Sequence, residues 1–389
     1  MLPVLVLWLA AAGILAAQDP LKSEGFQHFY NLEYDQAIAA FENQIAANPD
    51  SPDLHNHLAQ AIQFREMFRV GALESELVSG SNSFLRRPKI DTTPATEKRF
   101  FAEVDKAIGM AQARVDKNPN DAAALYSLGV SYGLRANWNF LVRKAWRDAL
   151  REATTARKMH NRVSELDPSN IDAKLVQGAH DYVVGSLPTL YKMLGFLAGY
   201  RGDRDKGIRM LREVAEKGRY NRIDAEVFLC ALYRREQRWH EASPLLEDLV
   251  RRFPRNYLLR FEQAQMFGAI GKKDQALDTL RKVAELTASR APGFTALPIE
   301  KVHYQMGNIY FWYRDFDKAI DSLKKATANA SVLDLNTGAL AYLRMGQTYD
   351  LTNRRELAQA AYKKAIEFAP EADASKEAHK YLSSPYRRT

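Results

Sequence analysis

The chain has 389 residues, of which 46% are hydrophobic, 26% charged and 11% aromatic. This composition excludes general disorder, and the length suffices for one extended repeat domain or two compact domains. The formal net charge is +8, and the basic residues are scattered along the chain with acidic residues between them. This charge pattern predicts solubility, and we expect no nucleic-acid partner. The single cysteine, Cys230, excludes an intramolecular disulfide and a cysteine-built metal site.

Residues 1–17 form an apolar run that ends in small residues before Gln18 and Asp19. A membrane span needs about 20 residues, so the run predicts a signal peptide cut near Ala17. The run has no Lys or Arg at its start, and Leu15 stands three residues before the cut, so an uncleaved membrane anchor is the alternative. We therefore expect an extracytoplasmic protein, periplasmic or secreted, and scarce cysteine is compatible with an oxidising compartment.

The remainder of the chain repeats one pattern with a period of about 34 residues. In the copy near the end of the sequence, the marked positions are Tyr342, Met345, Gly346, Tyr349, Ala358, Tyr362, Ala365 and Pro370. This pattern resembles the tetratricopeptide repeat, and five or six copies stand in phase between residues 21 and 371. The resemblance implies an all-α, right-handed superhelical solenoid of about eight helical hairpins, and we expect a bacterial source.

Residue size explains the pattern. A Gly or Ala at the eighth position of a repeat lets the second helix approach the first, and Pro ends the second helix. Gly129, Gly307 and Gly346 hold the eighth position, and so does Cys230, which predicts a small buried packing residue rather than a reactive thiol.

Inserts interrupt three consecutive repeats, at residues 78–98, 135–150 and 181–207. We expect four parts in the chain. They are the signal peptide or anchor at 1–17, repeats with long inserts at 18–219, regular repeats at 220–371, and a capping helix with a tail at 372–389.

The third insert contains Arg-Gly-Asp within a glycine-rich stretch at 195–207. The neighbouring sequence is helical, so the stretch does not match a dinucleotide-binding loop. It stands in phase with the turn at Gly271, which predicts a turn where Gly202 takes a positive φ and either Asp203 or Asp205 caps or favours the start of the next helix. An adhesion role is not needed.

No metalloprotease, phosphate-loop or nucleophile-elbow motif occurs. His55 and His57 are two residues apart, so on a helix they point to different faces and do not form a metal pair. We therefore expect no enzyme, no cofactor and no metal site.

The resemblance implies that particular positions of the first helices face a concave groove that binds another protein or a peptide. The candidate groove residues are Tyr126, Lys301, Tyr304, Asn308, Phe311, Arg344 and Gln347. Their aromatic, amide and cationic side chains suit an extended peptide or a carboxylate. The alternative is that several of the aromatics pack against neighbouring helices.

The inserts offer a second candidate surface. Its residues are Trp138, Phe140, Trp146, Tyr191 and Phe196. They suit an apolar or glycan ligand or a peripheral membrane contact, although burial against the solenoid is the favoured interpretation. The leading hypothesis is a non-enzymatic extracytoplasmic scaffold that binds another protein through its groove.

Overall fold

The computed structural model describes residues 19–75, 89–186 and 202–388, and no strand occurs in these ranges. The α-helices are α1 (Glu24–Tyr30), α2 (Tyr34–Ala47), α3 (Pro52–Arg69), α4 (Ala72–Ser75), α5 (Pro94–Lys117), α6 (Ala122–Trp138), α7 (Trp146–Leu166), α8 (Lys174–Gly185), α9 (Arg204–Lys217), α10 (Arg222–Arg235), α11 (Trp239–Arg252), α12 (Tyr257–Ala269), α13 (Lys273–Ala288), α14 (Ile299–Trp312), α15 (Phe316–Thr327), α16 (Leu335–Leu351), α17 (Arg355–Phe368) and α18 (Asp373–Ser383).

Neighbouring helices pair as eight hairpins in the described ranges, and we call the first helix of each the A helix and the second the B helix. The pairs are α1–α2, α3–α5, α6–α7, α8–α9, α10–α11, α12–α13, α14–α15 and α16–α17. The last helix, α18, packs on both helices of the eighth hairpin. The predicted all-α solenoid with a capping helix is confirmed.

The small residues of the repeat lie where the A and B helices touch. A Cβ atom on Gly129 would stand 2.7 Å from His160 Nε2, and one on Gly307 would stand 2.8 Å from Leu323 Cγ. Cys230 is partly buried and packs against the core, where burial raises the pKa of its thiol. A raised thiol pKa disfavours the reactive thiolate, as the repeat position predicts.

The inserts of hairpins two and three lengthen the connections between A and B helices. The first insert separates α3 from α5, and its residues 78–88 lie outside the described ranges. In the second, a π-helical turn at Asn139–Arg143 joins α6 to α7, and Lys144 takes a φ of 56°.

In the third insert, the expected positive φ of Gly202 is not observed. Gly271 has the expected positive φ of 85°, but Gly202 does not have one. Gly202 instead lies where the chain approaches α8, because a Cβ there would stand 2.6 Å from Val184 Cβ. The predicted cap is present, since the Asp203 side chain accepts a hydrogen bond from the Lys206 backbone N–H.

The first hairpin closes the N-terminal half of the solenoid by packing against hairpins five and six. The Tyr30 hydroxyl donates to Asp224 Oδ1 at 3.0 Å, and Asn256 Nδ2 donates to the Tyr30 carbonyl at 2.8 Å. Arg255 pairs with Glu33, with 2.6 Å between Nε and Oε1. Residues at the end of α1 therefore lie against the starts of hairpins five and six.

The membrane-anchor alternative concerns residues 1–17, which lie outside the described ranges. In the ranges that are described, none of the helices has the length and apolar character that a membrane crossing requires.

Candidate functional site

The A helices α14 and α16 and the capping helix α18 lie side by side. Together they form a surface that we call the C-terminal groove. Its defining residues are Phe311, Trp312, Arg344, Asp350 and Tyr381.

Three of the predicted groove residues meet here. The Arg344 guanidinium lies 4.3 Å from the ring centre of Phe311 and 5.0 Å from that of Trp312. Its Nη1 donates to Gln347 Oε1 at 2.8 Å, and Gln347 Nε2 donates to Glu377 Oε1 at 3.4 Å. Burial lowers the pKa of Arg344. The faces of the Phe311 and Trp312 rings attract the guanidinium charge.

A non-helical segment of the chain, residues 384–388, crosses this groove. The backbone N–H of Tyr386 donates to Asp350 Oδ2 at 2.7 Å. The Tyr386 ring centre lies 5.2 Å from that of Tyr381 and 6.2 Å from that of Phe311. The segment is thus held by both its main chain and its side chains.

Arg388 reaches the end of α14. Its Nη1 donates to the Phe311 carbonyl at 3.3 Å and its Nη2 to the Trp312 carbonyl at 3.0 Å. These carbonyls belong to the last turn of α14, where the helix dipole is negative, and the Phe311 carbonyl also accepts the Arg314 backbone N–H at 3.1 Å. A cation is therefore well placed at this position.

Asp350 is the polar anchor of the groove. Its side chain is only 1% exposed, and Arg355 Nη1 pairs with it at 2.9 Å. The Tyr362 hydroxyl donates to Oδ2 at 2.8 Å, and the same oxygen accepts the Tyr386 N–H. Donors from α17 therefore fix the carboxylate before the segment binds to it.

Other predicted groove residues are not open to a partner. Lys301 Nζ lies 2.8 Å from Asp334 Oδ2, and both side chains are buried. The Lys301 ammonium therefore forms an ion pair that joins hairpins seven and eight. Burial opposes ionisation of Asp334, but Lys301 and the Thr337 N–H hold its pKa below the ordinary value. Tyr304 is 7% exposed and packs in the core between the helices. Phe311 is also fully buried, but the Tyr386 ring and the Arg388 guanidinium lie against it in the groove.

Asn308 is half-buried on α14, and its Oδ1 is buried without a hydrogen-bond partner in the ranges that the structure describes. Tyr126 lies in the N-terminal half, where its hydroxyl accepts from Asn221 Nδ2 at 2.9 Å. The structure therefore separates Tyr126 from the other predicted groove residues.

Tyr126 lines a cavity of about 30 Å³ between hairpins one, two, three and five. Burial lowers the pKa of His57 to about 4 and raises that of Asp224 to about 6, and both line this cavity. The buried His57 Nδ1 has no hydrogen-bond partner. A space of this size holds one or two water molecules, so it does not admit a peptide.

His55 and His57 lie in different surroundings, as their spacing predicts. His55 Nδ1 is 2.5 Å from Glu103 Oε2, whereas the His57 ring lies 4.8 Å from that of Phe26. In the described part of the chain, no group of three or more His, Cys, Asp or Glu side chains is arranged to hold a metal ion.

The prediction that Trp138 belongs to the insert surface is wrong. Trp138 is fully buried and its ring stacks on Phe100 at 4.1 Å, so it is a core residue. Phe140 and Trp146 pack edge to face at 4.6 Å, and Trp146 is 40% exposed. Tyr191 and Phe196 lie outside the described residues.

Sequence reasoning missed Asp350, Tyr386 and Arg388. Tyr386 and Arg388 follow the last helix, beyond the repeats, and carry no repeat signature. The one available signal was the run of Pro, Tyr and Arg after the capping helix, which is typical of an extended segment rather than a helix.

Comparison with known proteins identifies the repeat. A family model described as Iml2/Tetratricopeptide repeat protein 39 matches residues 174–331, and a tetratricopeptide repeat model matches residues 339–371. No curated protein matches the sequence.

Three solved structures are similar in fold. The APC/C hetero-tetramer Cut9-Hcn1 matches with a TM-score of 0.51 and 13% identity, over 92% of this chain and 54% of that chain. Yeast Tom70 matches with a TM-score of 0.41 and 13% identity, over 95% and 89% of the two chains. The human IFIT1 dimer with m7Gppp-AAAA matches with a TM-score of 0.45 and 14% identity, over 92% and 79%.

This chain therefore spans about half the length of the first of these relatives. At 13% identity, the likeness to the Cut9 structure shows the helical-repeat fold alone. Tetratricopeptide-repeat proteins generally bind other proteins and are generally not catalytic.

Proposed function

We propose that this protein is a non-catalytic, extracytoplasmic scaffold that binds a segment of another protein in the C-terminal groove. One observation carries the proposal: the groove already holds a non-helical peptide segment, residues 384–388, through its main chain and its side chains. A surface that holds one such segment has the chemistry to hold another.

The groove offers three kinds of contact along its length. Asp350 accepts a backbone N–H, Tyr381 and Phe311 receive an aromatic ring, and the end of α14 receives a cation. A backbone contact combined with pockets for alternate side chains is the general way in which proteins recognise extended peptides.

No observation favours the alternative of an apolar or glycan ligand in the inserts. Trp138 is buried in the core, and the only exposed aromatic among the described members of that surface is Trp146. We therefore propose no second function.

Selection from a random displayed-peptide library tests the proposal. Trp312 and Leu357 are each 50% exposed, but Trp312 lies in the groove and Leu357 lies on the B helix α17. Peptides selected on the chain should bind Trp312→Ala at least tenfold more weakly and Leu357→Ala with unchanged affinity. Equal binding to both variants, or no selected peptide even when the segment 384–388 is displaced by substitution, would contradict groove binding.

The extracytoplasmic part of the proposal rests on the apolar run at 1–17. Expression of the full sequence, followed by fractionation and mass spectrometry of the recovered protein, tests it. A chain that begins near Gln18 outside the cytoplasm supports cleavage, and a full-length chain in the membrane fraction supports the anchor. Full-length protein in the cytoplasm contradicts this part.

A further inference from the structure

Resting on the proposed function, we propose that residues 384–388 are a built-in occupant of the C-terminal groove. A partner replaces them with a segment of the same chemistry, in which an aromatic residue is followed two positions later by arginine. The free chain thus holds its binding site closed, and the occupant shows which class of partner the site accepts.

The exposure of the segment alternates along the chain. Tyr386 and Arg388 are half-buried against the groove, whereas Pro385 and Arg387 are exposed. A period of two is that of an extended chain lying on a surface, since successive side chains point to opposite sides. The groove therefore contacts the side chains of Tyr386 and Arg388, and the residues beside them are exposed to solvent.

The contacts at the inward positions do not require the segment to belong to this chain. Asp350 accepts a backbone N–H, which every residue except proline supplies. The Tyr386 ring contacts two aromatic rings, and among the described residues its hydroxyl has no hydrogen-bond partner. Phenylalanine should therefore serve as well as tyrosine.

The arginine position is more demanding. The Arg388 guanidinium donates to two successive carbonyls, of Phe311 and Trp312, and lies 5.1 Å from the ring centre of Trp312. A planar guanidinium can bond to both carbonyls and stack on the ring at once, which a lysine ammonium cannot reproduce. We infer a preference for Arg over Lys at this position.

The segment is anchored less strongly than the helix before it. Arg355 Nη2 donates to the carbonyls of Tyr381 and Leu382 at 2.7 Å each, and Gln359 Nε2 donates to the same Leu382 carbonyl. These bonds hold α18 up to its last residues. The chain beyond Ser383 can therefore leave the groove while α18 stays in place.

Beyond that point the side chains of the segment are held without ion pairs. Arg388 bonds to carbonyls, and within the described ranges neither it nor Arg387 forms an ion pair with an acidic side chain. Tyr386 and Arg388 are both only half-buried. The segment therefore depends on its high local concentration as well as on its contacts with the groove.

A labelled peptide tests the proposal. The probe is the fluorescein-labelled octapeptide LSSPYRRT, which is residues 382–389, and its binding is measured by fluorescence anisotropy on full-length protein. The protein forms are the native chain, the double variant Tyr386→Ala/Arg388→Ala, and the control Arg387→Ala. The peptide should bind the double variant at least tenfold more tightly than it binds the native chain or the control.

Changes within the probe test the two inward positions. A peptide with Tyr386→Phe should keep its affinity for the double variant, and one with Arg388→Lys should lose at least threefold. Adding Trp312→Ala to the double variant should weaken the native peptide at least tenfold, with helix content unchanged by circular dichroism. Loss of affinity in the Phe peptide, or full affinity in the Lys peptide, would contradict the assigned chemistry.

Three outcomes would overturn the proposal. The peptide fails to bind the folded double variant, or binds it no better than the native chain, or Arg387→Ala opens the groove as the double variant does. If library-selected peptides still depend on Trp312, the scaffold function survives and the occupant proposal alone fails. If neither selected peptides nor the octapeptide bind, both fail.

In a related arrangement, the segment would enter the groove of a second copy of the chain. Size-exclusion chromatography with light scattering distinguishes this arrangement from the built-in occupant. A native monomer supports the built-in occupant. A native dimer that dissociates in the double variant would overturn it, because the segment would then link two chains.

Discussion

Gly129 on α6 lies directly against the imidazole of His160 on α7, and a Cβ atom on Gly129 would stand 2.7 Å from Nε2. His160 is fully buried and packs edge to face on Tyr126, with ring centres 5.3 Å apart, so the ring has little room to move. We expect Gly129→Ala to lower the free energy of unfolding by about 1–3 kcal/mol, because overpacking forces the helices apart. Urea unfolding followed by circular dichroism measures the change.

Gly133 provides a matched control one turn later in the same helix. A Cβ there meets no atom within 4 Å, and the residue has no positive φ. Gly133→Ala should therefore raise the free energy of unfolding by about 0.5–1 kcal/mol, since Ala is the better helix former. Equal effects of the two substitutions would show that helix propensity, rather than contact with His160, governs position 129.

The repeat positions could be predicted from the sequence because their residue type follows from contacts within one hairpin. Gly129 and Gly307 must be small, since the B helix that follows packs onto them. These contacts are local in sequence and recur in each repeat, so spacing alone reveals them.

The closure of the solenoid and the filling of the groove could not be predicted in this way. Tyr30 reaches Asp224 across 194 positions, and Tyr386 reaches Asp350 across 36. The first contact depends on small rotations summed over several repeats, and the second involves a segment that lies beyond the repeats, so no single repeat encodes either contact. The position of Lys301 in the repeat predicts its helix face but does not reveal its partner Asp334.

The ion pair between Lys301 and Asp334 joins hairpins seven and eight, with the two side chains 7% and 11% exposed. We expect Asp334→Asn to lower the free energy of unfolding by about 3 kcal/mol, because it removes a buried carboxylate charge that lies 2.8 Å from the Lys301 ammonium. Asparagine can still accept the Thr337 N–H at the start of α16, so the loss reports on the charge rather than the cap. Chemical denaturation at pH 7 measures it.

Removing both charges supplies the control for this pair. The double variant Lys301→Met/Asp334→Asn should recover at least half of the loss, since it also removes the buried ammonium that the carboxylate faces. The exposed Asp321→Asn should have no measurable effect. A double variant as unstable as Asp334→Asn would assign the loss to packing instead.

Asp224 carries a pKa that burial raises to about 6 from an ordinary 3.8. Above pH 6 the folded chain must hold a carboxylate that is more stable in water, so this group destabilises the fold at neutral pH and ceases to do so as the pH falls below about 4. Asp224→Asn should therefore raise the free energy of unfolding by about 1–2 kcal/mol at pH 7.5, after allowance for water in the cavity.

The gain should fade at pH 4.5, where the folded native chain has already bound the proton. Asn keeps an oxygen that can accept the Tyr30 hydroxyl, so the first hairpin stays attached to α10. The exposed Asp321→Asn is the control and should change stability at neither pH. Destabilisation by Asp224→Asn at pH 7.5 would show that the charge itself holds the first hairpin.

His160 gives the fold a loss of stability at acid pH. Burial lowers its pKa to about 4 from an ordinary 6.5, so below pH 6.5 the unfolded chain binds a proton that the folded chain does not. The contribution of His160 to the free energy of unfolding is complete above pH 6.5. It falls by about 2 kcal/mol by pH 5 and levels off near pH 4. Urea unfolding at half-unit steps between pH 7.5 and 5 measures this slope.

His160→Phe removes the titration while keeping a ring that can pack on Tyr126. Its absolute stability can move in either direction, but its slope between pH 6.5 and 5 should be smaller than that of the native chain by about one proton. His379 is exposed on α18, and His379→Phe should leave the slope unchanged. If His160→Phe keeps the native slope, the acid sensitivity belongs to other imidazoles, such as that of His57, whose pKa burial likewise lowers to about 4.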